Sequence, residues 1–212
     1  MNAPSIIAGL RGLAGAAGLP VWDDTPDVVR LVALRRTPGI PDAWCDAAWA
    51  CWRDRLDGQD YALAGQATTV PGLVGPGWTE GIQVPGYVAA AYQVGIMHAG
   101  TQFQQTCLIQ TEDTDGIPYW PSKLRSDVND QTPVLISGGT QPIKGLEWHN
   151  GAGLRVGLNS LGCIVSEEFA RDVLPVIQAI EKRGGPKFYA RWLFEVPADC
   201  PWLDWTLGRA AA

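Results

Sequence analysis

A cysteine and a histidine, fourteen positions apart, are the residues of this chain best suited to covalent chemistry. Cys163 lies in the segment NSLGCIV and His149 in GLEWHNG, and His149 is one of only two histidines in 212 residues. A thiol attacks a carbonyl carbon efficiently only as the thiolate, and an imidazole within hydrogen-bond reach commonly generates that thiolate. The pair therefore predicts nucleophilic catalysis by Cys163, with His149 as the base that takes and returns the proton.

The residues before Cys163 have the properties of an oxyanion-binding loop. Gly162 has no side chain, so the backbone N–H of Cys163 has room to point at a developing oxyanion. Ser160 either donates to the oxyanion or holds the turn, and Asn159 is assigned the same supporting role. An alternative stays open, in which Cys163 is a small thiol buried beneath a helix, because free cysteines are among the most buried residues.

Three further residues are candidates for contact with a substrate. Arg155 has a guanidinium fork that suits a carboxylate. His98 ends an alternating segment, and Trp148 directly precedes His149. The competing interpretations are a solvated arginine and a structural histidine, so the sequence alone does not decide between binding and packing for these positions.

The composition argues against a metal, a cofactor or a nucleic acid. The cysteines are Cys45, Cys51, Cys107, Cys163 and Cys200. No C-x-x-C pair occurs and the histidines are far apart, so neither a zinc site nor a cofactor is expected. The net charge of −6 disfavours binding to nucleic acid. Ten tryptophans suggest either core packing or a groove that stacks on sugar rings.

The motif H-x-G followed by S-x-G-C-I resembles the catalytic signature of the YkuD-type L,D-transpeptidases, the cysteine enzymes of peptidoglycan. His149-Asn150-Gly151 and Ser160-Leu161-Gly162-Cys163 carry the resemblance, and the pattern covers roughly residues 85–196. The longer layout is similar to a divergent phage-associated branch. The resemblance implies a β fold, peptidoglycan as partner, and a cysteine that attacks a peptide carbonyl after activation by the histidine. A phage endolysin-like hydrolase role in host lysis is the corresponding expectation.

Three departures from the family pattern motivate other hypotheses. Leu161 stands where the family usually has a second histidine, Val165 stands where it usually has arginine, and the interval from His149 to Cys163 is shorter. A catalytically inactive wall-binding or virion structural module on the same fold is therefore the alternative. A small-molecule amidase or acyltransferase that uses the same pair is a third.

The hydrophobic pattern predicts a mainly β domain with one or two packed helices. The resemblance implies that this domain is a sandwich or barrel like that of the L,D-transpeptidases. Strands are expected at 28–34, 92–98, 104–110, 134–136, 146–148 and 188–196. Residues 42–55 fit neither period, and 64–86 and 111–133 are expected to be mostly loop. A helix is expected from an N-cap at Ser166 to Gly184-Gly185, with a kink at Pro175. Its N-terminus would lower the pKa of Cys163.

The chain is expected to form one catalytic domain over residues 21–212, preceded by a flexible or weakly helical leader at 1–20. Residues 21–63 are alternatively an N-terminal subunit of that domain. The first residues lack a basic stretch typical of a secretion signal, and no apolar run has membrane-spanning length. We therefore expect synthesis in the cytoplasm without insertion into a membrane, and action at the cell wall if the chain is a phage lysis enzyme. The sequence does not define the oligomeric state.

Overall fold

The computed structural model describes most of the two ends of the chain and isolated strands between them. The described residues are 1–19, 22, 24–37, 43–69, 90–97, 107–110, 132–136, 139–143, 147–151, 164–186 and 188–210. Of the predicted loops, residues 70–86 of 64–86 and residues 111–131 of 111–133 lie outside them, and residues 132–133 belong to a strand rather than to a loop.

Within these ranges the chain forms ten strands and three α-helices. The strands are β1 Arg30–Thr37, β2 Asp46–Arg53, β3 Asp60–Thr68, β4 Ala90–Met97, β5 Cys107–Gln110, β6 Thr132–Ile136, β7 Gly139–Ile143, β8 Glu147–Asn150, β9 Ile164–Ser166 and β10 Phe188–Pro197. The helices are α1 Ala3–Ala16, α2 Leu174–Lys182 and α3 Thr206–Ala210, with a π-helical segment at Phe169–Val173 and a 3₁₀ turn at Pro201–Leu203. The expectation of a mainly β protein with packed helices is confirmed at this level.

Eight of the strands form one closed sheet in the order β1-β10-β4-β5-β8-β9-β3-β2, with β2 returning to β1. Two of its pairs are parallel, β1 with β10 and β8 with β9, and the others are antiparallel. Strands β6 and β7 form a separate two-stranded sheet. The sheet therefore places β8 directly beside β9, although their connection lies outside the described residues.

Strand β2 lies within residues 42–55, whose sequence pattern fits neither a helix nor a strand. Ala48, Ala50 and Trp52 belong to one buried cluster, which also contains α2 residues. Ala47, Trp49 and Cys51 belong to a second cluster, which also contains α1 residues. Because both faces of the strand are buried, apolar residues do not alternate with polar ones, and the usual two-residue period is absent.

The N-terminal residues form a packed helix, so of the two expectations for residues 1–20, a flexible or a weakly helical leader, residues 3–16 follow the helical one. The Asn2 side chain caps α1 by accepting a hydrogen bond from the Ser5 backbone N–H at 3.1 Å. Ile6 and Leu10 are fully buried, and they share a core cluster with Trp49 of β2. Spacing of i and i+4 places both apolar side chains on one face, which outweighs the low helix propensity of the surrounding glycines.

Two other boundaries differ from those predicted. Residues 64–68, expected to be loop, are the second half of β3. Ser166, expected to cap a helix, is the last residue of β9, and the π-helical segment begins only at Phe169. Helix α2 then has Pro175 in its first turn, so the geometry changes from π to α beside the residue that lacks an N–H. The predicted end of this helix is confirmed, because α2 ends at Lys182 and Gly184 follows with a φ of 86°.

Candidate functional site

The parallel pair β8–β9 is the part of the fold that carries the candidate site. Trp148 pairs with Ile164, His149 with Val165, and Asn150 with Ser166. Residues that face each other in register project from the same side of a sheet, so His149 and Val165 share a face. His149 is partly exposed whereas Val165 is fully buried. His149 is the last residue but one of its strand, as the Asn150-Gly151 turn signal predicted.

Most of the other predicted site residues lie outside the described residues. This holds for Cys163, Gly162, Ser160, Asn159, Arg155 and His98. Only the backbone of Trp148 is described. The structure therefore brings the strand of His149 beside the strand that begins one residue after Cys163, and the side-chain pairing stays a prediction.

The helix that was predicted to follow an N-cap at Ser166 begins later in the chain. The π-helical segment begins at Phe169, six positions after Cys163, and Glu168 precedes it without a capping hydrogen bond from its side chain. The field of a helix terminus falls off within about one turn. Two acidic residues, Glu167 and Glu168, also lie between the cysteine and the helix in sequence. The helix N-terminus therefore gives no support to the predicted activation of Cys163.

A buried polar pair next to β9 was not anticipated from the sequence. The Ser166 hydroxyl donates to Oε2 of Glu168 at 3.2 Å, and both residues are buried, at 1% and 4% exposure. The pair lies over Gly65 of β3, where a Cβ would be 2.8 Å from Glu168 Oε2 and nearer still to the Ser166 oxygen. The Ser-x-Glu spacing is visible in the sequence, where it predicts a helix N-terminus.

The four described cysteines differ in accessibility. Cys51 and Cys107 are buried, whereas Cys45 and Cys200 are partly exposed. Burial raises the pKa of Cys51 to about 12, so this thiol is protonated at neutral pH. Cys51 is therefore a packed core residue and not a competing nucleophile.

A charged cluster ties the C-terminus of α2 to the β2–β3 turn. Asp27, at 3% exposure, accepts from Nε of Arg183 at 3.0 Å and from the Arg55 backbone N–H at 3.0 Å. Arg183 also donates to Asp54 at 2.9 Å. Asp27 has a φ of 59°, a left-handed conformation that is unusual for a residue other than glycine. Through these contacts one buried carboxylate joins residues that are 156 positions apart in the chain.

A second buried carboxylate fixes the end of β3. Asp46 is 1% exposed and accepts from the Thr69 hydroxyl at 2.6 Å, from the Thr69 N–H at 2.8 Å and from the Arg36 N–H at 2.9 Å. Burial raises its pKa, and these hydrogen bonds oppose the rise. Asp46 thus joins three segments of the chain through one side chain.

The described tryptophans favour the packing interpretation of the high tryptophan content. Trp22, Trp49, Trp52 and Trp192 are each at most 7% exposed. The Trp49 indole N–H donates to the Trp202 carbonyl at 2.8 Å, and Trp22 packs edge-on against Trp192. These rings are therefore parts of the core rather than a surface for sugar rings.

No family model, curated protein or solved structure matches the chain. Among the described residues, no helix is both long and apolar enough to cross a membrane. In the same part of the chain, no three His, Cys, Asp or Glu side chains form a group that could hold a metal ion.

Proposed function

We propose that this chain is a cysteine-dependent enzyme that cleaves peptidoglycan stem peptides, with Cys163 as nucleophile and His149 as general base. The fold assigned to it under this proposal is that of the L,D-transpeptidases. The support is the H-x-G and S-x-G-C resemblance together with the pairing of the two strands that flank these motifs.

The observation that carries the proposal is the register of β8 against β9. Trp148 lies opposite Ile164, and a peptide bond joins Ile164 to Cys163. Chain steps of about 3.8 Å and a strand spacing of about 4.8 Å limit the distance between the Cα atoms of Cys163 and His149 to roughly 12 Å. His149 and Ile164, the described ends of the two motifs, are thus neighbours in the sheet, although fourteen residues separate Cys163 from His149 in sequence.

The proposed reaction has two steps. His149 removes the thiol proton, the Cys163 sulfur bonds to the carbonyl carbon, and N–H groups near Gly162 stabilise the oxyanion. The C–N bond then breaks, and the amine leaves with the proton that His149 returns. Water adds to the resulting thioester and releases the carboxylate and the free thiol. An amine in place of water would give a crosslink, so the acceptor decides between hydrolysis and transpeptidation.

The test is mass spectrometry of the muropeptides released from purified sacculi. Wild type is expected to release new stem-peptide fragments, and Cys163→Ala and His149→Gln are expected to release none. Cys51→Ala is the matched control, because it removes a thiol that is buried and protonated. Activity of Cys163→Ala equal to that of wild type would contradict the mechanism.

One structural observation favours a second function, a wall-binding or virion structural module without catalysis. Val165, which stands where the family usually has arginine, is fully buried between His149 of β8 and Thr68 of β3. A cation at this position would be unpaired and costly, so the chain is built without that charge. Sedimentation with sacculi and no release of muropeptides by wild type would support this alternative.

A further inference from the structure

We infer that Ser166 and Glu168, seated over Gly65, form a positioning unit that fixes β9 against its neighbours and thereby sets the geometry of Cys163 relative to His149. The inference rests on the proposed function, since it concerns the same site. None of the three residues is assigned contact with the substrate.

Strand β9 is unusually short for a strand with a neighbour on each side. The strand has only three residues, Ile164–Ser166, and it is held by β8 on one side and β3 on the other. Such a short strand makes few backbone hydrogen bonds, so its register depends on additional side-chain contacts. Slippage by one residue would move Val165 away from His149 and turn every side chain of β9 to the other face.

The polar pair of Ser166 and Glu168 lies where it can oppose this slippage. Ser166 is register partner of both Asn150 in β8 and Ala67 in β3, so it is the last residue held from both sides. Its hydroxyl donates to Glu168 at the start of the next segment. Because this hydrogen bond joins two positions of one segment, the pair would move as a unit in a register shift. The shift would carry the two buried polar groups away from Gly65, the position of β3 against which they pack closely.

Position 65 of β3 is a glycine and has no side chain. A Cβ on Gly65 would lie 2.8 Å from Glu168 Oε2, 3.3 Å from the Glu168 Cβ, and closest of all to the Ser166 oxygen. Contacts this short require the neighbours to move. The lack of a side chain at Gly65 therefore allows the Ser166–Glu168 pair to approach β3 closely.

The experiment measures alkylation of Cys163 by iodoacetamide against pH, with peptide-resolved mass spectrometry to separate it from the other thiols. Wild type is expected to show an inflection below the value of about 8.5 for an ordinary thiol, because His149 stabilises the thiolate. Ser166→Ala and Gly65→Ala are expected to raise the inflection and to slow alkylation at neutral pH by about tenfold.

Gly208→Ala is the matched control for loss of stability. Gly208 of α3 packs against the opposite side of the same strand, where a Cβ would lie 2.8 Å from the Ala64 Cβ and nearer still to its backbone nitrogen. This variant is expected to lower the unfolding midpoint as Gly65→Ala does, yet to leave the pH inflection of Cys163 unchanged.

The double variant Gly65→Ala/Ser166→Ala separates crowding from positioning. Removal of the Ser166 oxygen removes the closest contact of the new methyl group. We therefore expect the double variant to be more stable than Gly65→Ala while it keeps the raised inflection. A recovered inflection in the double variant would show that crowding alone had disturbed the site, and it would overturn the inference.

The remaining outcomes separate the inference from the proposed function. A low inflection in wild type that is unchanged in Ser166→Ala would overturn the positioning role and leave the Cys163–His149 mechanism standing. An ordinary inflection in wild type, unaffected by His149→Gln, would overturn both. Ser166→Ala removes one hydroxyl and adds no atoms, so the test does not depend on the folding of the crowded variants.

Discussion

His149 and Val165 are register partners across the parallel pair of β8 and β9, and Val165 follows Cys163 by two positions. Two segments separated by a long connection are thereby brought to one place in the sheet. A parallel pair requires such a connection, because its strands cannot be joined by a tight hairpin. The connection between these strands contains Arg155, Asn159 and Ser160, which lie outside the described residues.

The first prediction concerns the order in which thiols react. Iodoacetamide at neutral pH is expected to modify Cys163 before the other cysteines and to leave Cys51 unmodified, since burial raises the pKa of Cys51 to about 12. At pH 7 such a thiol is ionised in only about one molecule in 10⁵, compared with a few per cent for an ordinary cysteine. Peptide-resolved mass spectrometry after timed quenching measures the order. Equal labelling of Cys51 and Cys163 in the folded protein would contradict it.

The second prediction tests whether α1 is an integral part of the core. Leu10→Ala is expected to lower the free energy of unfolding by about 3 kcal/mol, because it opens a cavity at a fully buried position. Leu56→Ala is the control, since Leu56 is 76% exposed and its loss is expected to cost less than about 0.5 kcal/mol. Urea unfolding followed by tryptophan fluorescence gives both values. Equal stability of the two variants would restore the interpretation of a loosely attached leader.

The sequence predicted the strands best where only local pattern mattered. The β-branched run that ends at Leu34 corresponds to β1, and the alternating segment that ends at Val196 corresponds to β10. The predicted ends of these strands differ from the observed ones by at most three residues. It failed where tertiary contacts decide. Burial of both faces removed the period of β2, and packing of Ile6 and Leu10 made a helix of a segment rich in alanine and glycine.

The candidate site was predictable in part. The position of His149 at the end of a strand followed from the Asn150-Gly151 turn signal and is confirmed. The helix start was wrong because Ser166 has the residue type of an N-cap, whereas its hydroxyl is taken by Glu168 across Gly65. The placement of this pair against Gly65 was not visible, because no sequence rule connects positions a hundred residues apart. The Cys163–His149 contact itself stays a prediction.

The third prediction concerns the charged cluster around Asp27. Asp27→Asn is expected to lower the free energy of unfolding by about 3 kcal/mol, because it leaves Arg183 without its buried anionic partner. Asparagine tolerates the left-handed backbone of this position, so the loss reports on charge rather than strain. A double-mutant cycle with Arg183→Ala, monitored by urea unfolding, should show strong coupling between the two positions.

The exposed Asp199 provides the control for that cycle. Asp199→Asn removes the same charge without a buried partner, so its effect on the free energy of unfolding is expected to stay within about 0.5 kcal/mol. Additive effects of Asp27→Asn and Arg183→Ala would show that the two side chains do not depend on each other, contrary to the short contacts between them.

The fourth prediction is a pH dependence that originates at Asp46. Burial raises the pKa of this carboxyl above 3.8 in the folded protein, so the folded state holds the proton more tightly than the unfolded state. The stability that Asp46 contributes is then fully present below the unfolded pKa and is lost as the pH rises through the folded pKa. Asp46→Asn cannot titrate, and its amide oxygen can still accept from Thr69.

The measurement is the difference in free energy of unfolding between wild type and Asp46→Asn, from urea titrations at pH values from about 4 upwards. Wild type is expected to lose stability relative to the variant as the pH rises. The opposite slope would mean that the hydrogen bonds from Thr69 and Arg36 outweigh the cost of burying the charge. In that case the carboxylate would be the preferred form in the fold, and its pKa would lie below the ordinary value.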